Sequence, residues 1–414
     1  MQIIKNSAIY LGSSILNKSI PFLLLGILTK YLSPAEYGIV SIFQITITFF
    51  TAIVGMAINT NISKNFFQFE KSKMAKHIGN IMLVLVASTT IILVITCIAT
   101  LFFNEIFSIP VIWIRIMPLL SFMFMVNTIN LTILRMEGRA YTYGIFEISN
   151  TVVNMSLTIA LLVFYSYGWY SRAYGILGAY LLFFVIGIIF IYKSGYIRYN
   201  VDWKEIKLIL KLSVPLIPHA LGSIVIAMSD RFFIERMVGL KAVGIYTVGY
   251  MFGMVVMLFT DAFMKAWSPW FFKRLSKPGE EQKTKIVHYT YLYIIATMLL
   301  ALAVTVLGQF VLPYFVDEEF YGAKKYILWV AIGYVFFGVY QIFFLYLVHI
   351  GKTSFLAIST VIAAVLNLIL NYALIVHFGT IGAAYATIAA FIVSSGLVIW
   401  YQNKHFKMPW LLKK

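Results

Sequence analysis

Uninterrupted apolar stretches recur along the whole chain, at about 6–32, 37–60, 78–103, 111–135, 140–165, 174–192, 206–234, 242–268, 287–314, 324–349, 353–377 and 380–401. A helix needs roughly 20 such residues to cross the hydrocarbon core of a bilayer, so these windows predict about 12 transmembrane helices. Little else fits into 414 residues. Only 11% of the residues are charged, too few to cover the surface of a water-soluble domain. The apolar runs are continuous and do not alternate with a period of two, which excludes a transmembrane β-barrel. The expected fold class is an all-α polytopic membrane protein. The opening MQIIKNSAIYLGSS lacks an A-x-A cleavage site and reads as the start of the first span.

Charge then orients the spans. The 32 lysines and arginines outnumber the 15 acids, and 22 of the basic residues fall in the connections on the side of the two termini, against 7 on the other. That bias places both termini in the cytoplasm and removes nucleic acid as the reason for the positive charge. Arg172 is among the residues assigned to the outer loops. The single cysteine, Cys97, has no partner, so neither a disulfide nor a cysteine metal site is expected.

A weak internal repeat divides the chain. Tyr37-Gly38-Ile39 matches Val243-Gly244-Ile245 at an offset of 206, Gly138 and Asn154 match Gly351 and Asn367 at 213, and Gly175-x-x-Gly178-Ala179 matches Gly379-x-x-Gly382-Ala383 at 204. Six spans per half make the repeat parallel: two six-helix bundles, residues 1–200 and 201–414, related by a pseudo-two-fold along the membrane normal. This is a transporter architecture, with the substrate path expected between the halves.

Ionisable residues inside spans are costly and therefore mark candidate sites. In the first span Asn6, Tyr10, Ser14, Asn17 and Pro21 share a narrow arc, with Lys18 beside it near the midplane. An unpaired lysine there requires an anion, either on a neighbouring helix such as Glu147 of the fifth span or on a substrate phosphate. The seventh span is interrupted by Pro215 and Pro218 and holds His219, Asp230 and Arg231. Asp230 and Arg231 lie about 100° apart on an ideal helix, so their side chains are expected to diverge, leaving Arg231 to pair with Glu235 one turn on. In the eighth, Asp261 precedes Lys265 by four residues, the favourable order for a pair within one helix. Lys265, with Trp267 and Trp270, lies near the cytoplasmic interface. The candidate cavity residues are thus Lys18, Asn17, Arg231 and Lys265, and the candidate ion couplers Asp230, Asp261, Glu147 and His219. No catalytic or metal-ligating set is expected. Gly351-Lys352-Thr353 resembles the end of a phosphate loop, but Tyr346 occupies the place of its first glycine. Asp317-Glu318-Glu319 reads as a solvated turn.

NKSIPFLLLGILTKYLSPAEYGIVSIF, VPLIPHALGSIVIAMSDRFFIERMVGLKAVGIYTVGY and HIGKTSFLAISTVIAAVLNLILNYALI resemble segments of the bacterial polysaccharide exporters and O-antigen repeat-unit flippases. The resemblance runs essentially end to end. It implies a flippase, not an enzyme, without a cofactor, in the bacterial inner membrane and coupled if at all to a proton or sodium gradient. The implied substrate is an oligosaccharide joined by pyrophosphate to undecaprenol, turned to the periplasmic leaflet by alternating access. Membrane lipids, a polysaccharide polymerase and a chain-length regulator are the implied partners. It also implies that cationic residues, Arg231 and Lys265 among them, attract the anionic headgroup. The alternatives are a cation-coupled multidrug exporter of the same fold and a membrane glycosyltransferase or polymerase.

Overall fold

A computed structural model describes residues 12, 16–17, 20, 22–56, 58–198, 200–275 and 279–410, without the side chains of Leu216, His219 and Thr353. Lys18, Asn6, Tyr10, Ser14 and Pro21 therefore lie outside the described residues, as does the His219 side chain. The described chain is helical: α1 (Phe22–Tyr31), α2 (Pro34–Gly55), α3 (Asn59–Asn65), α4 (Lys71–Ala99), α5 (Val111–Met136), α6 (Ala140–Tyr165), α7 (Tyr170–Lys193), α8 (Trp203–Ser213), α9 (Ile217–Met228), α10 (Asp230–Met237), α11 (Leu240–Gly253), α12 (Val255–Leu275), α13 (Glu280–Phe315), α14 (Lys324–His349), α15 (Thr353–Phe378) and α16 (Ile381–His405). A two-residue hairpin, Glu105–Ile106 with Ile109–Pro110, is the one sheet among them.

Ten helical stretches among the described residues are long and apolar enough to span a membrane, matching windows two to six and eight to twelve. The first window is described only in part. The seventh is interrupted at Pro215, as its prolines lead one to expect: Pro215 carries no N–H and sits in a 3-10 turn, Val214–Leu216; a second break, not foreseen, falls at Ser229. What remains between the breaks, the 12-residue α9, is only about 18 Å long against a hydrocarbon core of roughly 30 Å.

The chain forms two compact units, residues 1–221 and 222–414. In the first, α5 is the central helix, packed against α2, α4 and α7, while α6 lies on α7. Its core includes Ile58, Ile62, Ile78, Ile129, Ile133 and, from α8, Ile206 and Ile209. The chain approaches closely at Gly79, where a methyl group would collide with the carbonyl oxygen of Arg198. The N-terminus of α2 is closed by a capping box: Ser33 Oγ accepts from the Glu36 N–H, and Glu36 accepts from the Ser33 N–H at 3.2 Å. In the second unit α16 packs on α14 and α15. Gly382 allows the α15–α16 corner to close on the backbone of Leu374, and Ala383, Ala386 and Ala390 continue the small-residue face.

Candidate functional site

Within the first unit the helices enclose a polar cavity of about 510 Å³. Its walls follow from helical spacing. Asn127, Leu131 and Arg135 recur every fourth residue on α5, with Thr128 and Thr132 beside them. Tyr143, Glu147, Asn150, Thr151 and Asn154 form the matching stripe on α6, and Arg172 and Tyr180 descend from α7. Asn59 of α3 and Asn17 complete the lining. In a bilayer such stripes must face the protein interior, because lipid offers no hydrogen bonds.

Two linked networks fix the walls. Asn17 Nδ2 donates to Glu147 Oε1 at 3.2 Å, and the Thr151 hydroxyl donates to Asn17 Oδ1, joining the first span to α6. Arg172 Nη1 donates to Asn154 Oδ1 and, at 3.3 Å, to Thr158 Oγ1. On its other edge the Gln44 carboxamide, oriented to satisfy both of its polar atoms, accepts from Nε at 3.0 Å and Nη2 at 3.2 Å. All the named partners of this guanidinium are neutral, so its charge is held in place without being cancelled. Asn127, only 2% exposed, has neither its amide nitrogen nor its amide oxygen bonded, and the buried Asn59 Oδ1 is also unpartnered. Arg172 and Arg135 against Glu147 leave the lining with an excess of positive charge. A cavity with two guanidinium groups, five asparagines and two tyrosine rings suits an anionic, hydroxyl-rich molecule.

Unpartnered amides lower stability unless a ligand meets them. Asn127→Leu, of similar volume, is expected to raise unfolding stability by about 1–3 kcal/mol. Thermal melts of the purified variant beside wild type check this.

The second unit holds a different arrangement. Asp230 and Arg231, 1% and 4% exposed, do not diverge as an ideal helix requires. The break at Ser229 makes Asp230 the first residue of α10, and its Oδ1 accepts both the Arg231 N–H at 2.9 Å and Arg231 Nη1 at 2.7 Å. Tyr246 donates to Asp230 Oδ2 at 2.6 Å, Arg231 Nη1 donates to the Ala227 carbonyl at 3.0 Å, and the guanidinium lies 3.9 Å from the centre of the Tyr250 ring. Tyr250 and Tyr334 share a 2.5 Å hydrogen bond beneath it. Nearby, Ser229 donates to Asn367 at 3.0 Å. Asp261 accepts from Gln341 at 3.4 Å, and Lys265 is exposed on α12.

Of the residues singled out by sequence, Asn17 and Glu147 thus meet in the first-unit cavity, while Asp230 and Arg231 meet each other in a buried network of the second unit. Arg172, assigned to an outer loop, instead enters the cavity from the first turn of α7. Arg135 and the asparagines of α5 and α6 also went unselected. Their signal was the repeat of Asn, Thr and Arg at three- and four-residue intervals within apolar helices.

Comparisons with known proteins agree with this architecture. The family described as "Polysaccharide biosynthesis protein" matches residues 3–275, and the MatE family matches residues 215–373. A protein of the Lsg locus of Haemophilus influenzae is 25% identical over 378 residues, covering 88% of this chain and 90% of its own length. A membrane protein of the same organism is 24% identical, covering 89% of each. Among solved structures, a multidrug resistance MATE family transporter of the MOP superfamily superposes with a TM-score of 0.74 at 15% identity, over 94% of both chains. The lipid II flippase MurJ superposes with a TM-score of 0.66 at 16% identity, over 96% of this chain and 87% of its own.

Proposed function

Because the chain belongs to the polysaccharide biosynthesis protein family, a transporter family and not an enzyme family, we propose that it flips a prenyl-diphosphate-linked oligosaccharide from the cytoplasmic to the outer leaflet of a bacterial inner membrane. The observation that carries this reading is Arg172, charged and held on two edges by neutral side chains, in a cavity where the Asn127 amide and Asn59 Oδ1 have no partner. A saccharide diphosphate cannot cross hydrocarbon alone, since each unsatisfied polar group costs several kcal/mol. Arg172 and Arg135 would take the phosphate oxygens, the asparagines would exchange hydrogen bonds with sugar hydroxyls, and the prenyl chain would stay in lipid. Movement by alternating access then carries the headgroup across.

Lys18, which follows Asn17 directly in the chain, stands as the cationic candidate of the first span. Glu147 is the ion-coupling candidate that lines the cavity, through its bond to Asn17. Asp230 and Asp261 stand as couplers in the second unit, with Arg231 and Lys265 as its cationic candidates, and His219, at the end of the first unit, is a further coupler candidate. An undecaprenyl-linked repeat unit for surface polysaccharide is the specific substrate we favour.

The competing reading, a multidrug exporter, draws on the fold. A lipophilic cation would face two arginines across the cavity, which opposes its binding. Thermal unfolding of the purified protein separates the two readings. A short-chain prenyl diphosphate at 100 times its Kd is expected to stabilise the protein by about 2.7 kcal/mol. A lipophilic cation at equal concentration should give no shift. The reverse ranking would reject the flippase reading.

A further inference from the structure

The helix that precedes the break at Pro215 has a second surface that the cavity does not explain. On α8, Lys204, Lys207 and Lys211 fall within about 60° of one another, flanked by Trp203 and Leu208, and all five are exposed. The opposite face is bound into the first unit by Ile206 and Ile209, both buried, and by Ser213, which accepts from Asn61 at 2.8 Å. Both acids of the segment are turned away from the lysines. Asp202 Oδ1 caps the helix by accepting from the N–H groups of Lys204 at 2.9 Å and Glu205 at 3.3 Å. Glu205 pairs with the buried His77 at 2.8 Å and accepts from Asn80 at 3.0 Å. The outer face of α8 is therefore purely cationic.

Beside it opens an apolar groove of about 700 Å³. Trp203, Ile206 and Leu210 of α8 form one wall, and Leu83, Ala87 and Ile91 of α4 form the other. The α4 residues recur every fourth position, so the groove follows that helix for about 12 Å. An apolar slot walled by the same helix that carries three exposed lysines and a tryptophan has the two-part chemistry of a lipid with a negative headgroup.

We propose that α8 and this groove form a binding site for an anionic membrane phospholipid, one acyl chain lying along α4 and the phosphate on Lys204, Lys207 and Lys211. The site is separate from the saccharide cavity and does not rest on the transport reading. It fixes α8 in the headgroup layer immediately before the Pro215 break.

Native mass spectrometry of the purified full chain, exchanged into phosphatidylglycerol or phosphatidylcholine, tests this. Wild type should retain phosphatidylglycerol preferentially. K204Q/K207Q/K211Q, on an exposed face, should lose roughly a hundredfold of that preference with its melting temperature unchanged. A87W, which fills the groove, should reduce retention of both lipids. Equal retention of the two lipids by wild type would overturn the proposal. So would a preference that survives the triple substitution, or retention unaffected by A87W. Displacement of phosphatidylglycerol by an equimolar prenyl diphosphate would instead assign the groove to the transported lipid and also overturn it.

Discussion

Arg172→Ala is expected to reduce translocation of the lipid-linked saccharide by about a hundredfold or more, with the protein still folded. The guanidinium is oriented by Asn154, Thr158 and Gln44, and the proposed role of its charge is to bind phosphate. Losing a two-pronged charge-assisted contact of about 3 kcal/mol corresponds to roughly two decades in affinity. Of the partners left behind, Asn154 lines a polar cavity that water can enter, Gln44 is exposed and Thr158 keeps its bond to the Asn154 carbonyl, so the melting temperature should move little. Arg172→Lys keeps the charge but cannot satisfy Gln44 and Asn154 together, and should recover no more than about a tenth of the rate. Transport rates and thermal melts on the same preparations provide the check. A variant that transports normally would remove Arg172 from the mechanism.

The second large effect concerns stability. Asp230→Ala strips the ion-pair partner from an arginine only 4% exposed and should destabilise the protein by about 3–5 kcal/mol. Tyr246→Phe removes one hydrogen bond to the same carboxylate and should cost about 1–3 kcal/mol. The double variant Asp230→Ala with Arg231→Met removes both charges and should recover most of the loss, because two apolar side chains need no partners. Unfolding of wild type and these three variants in detergent measures the losses and the recovery. If Asp230 coupled ions instead, Asp230→Asn would leave the melt intact and abolish only the response to a gradient.

The spans were legible because hydrocarbon imposes one requirement on every crossing helix: about 20 apolar residues with their backbone groups bonded internally. The windows for α2, α4 to α7 and α13 to α16 satisfied it directly. In the seventh window the prolines announced the break at Pro215, but nothing in the hydropathy registered the turn at Ser229. The two breaks divide the apolar run, and α8 separates from it as a surface helix. The break at Ser229 brought Asp230 and Arg231 together, against the angular spacing of an unbroken helix.

The cavity was half legible. Glu147 and Asn17 drew attention as polar residues in apolar surroundings. Arg172 did not, since its position near the start of a span looks the same whether the side chain turns to water or inward. Tertiary packing decides between them: Gln44 on α2 and Asn154 on α6 supply the partners from more than a hundred residues and from 18 residues away. Asn127 and Asn150 went unnoticed because neutral amides are less conspicuous than charges, although their four-residue spacing with threonine and arginine already traced the wall.

The central claim is tested most directly by translocation in proteoliposomes made with the purified protein. A fluorescent short-chain prenyl-diphosphate oligosaccharide is placed in the inner leaflet, and its arrival outside is followed with a membrane-impermeant quencher. The flippase reading predicts rapid arrival with wild type and a rate close to that of empty vesicles with Arg172→Ala. Wild-type vesicles no faster than empty ones, or an Arg172→Ala rate equal to wild type, would contradict it.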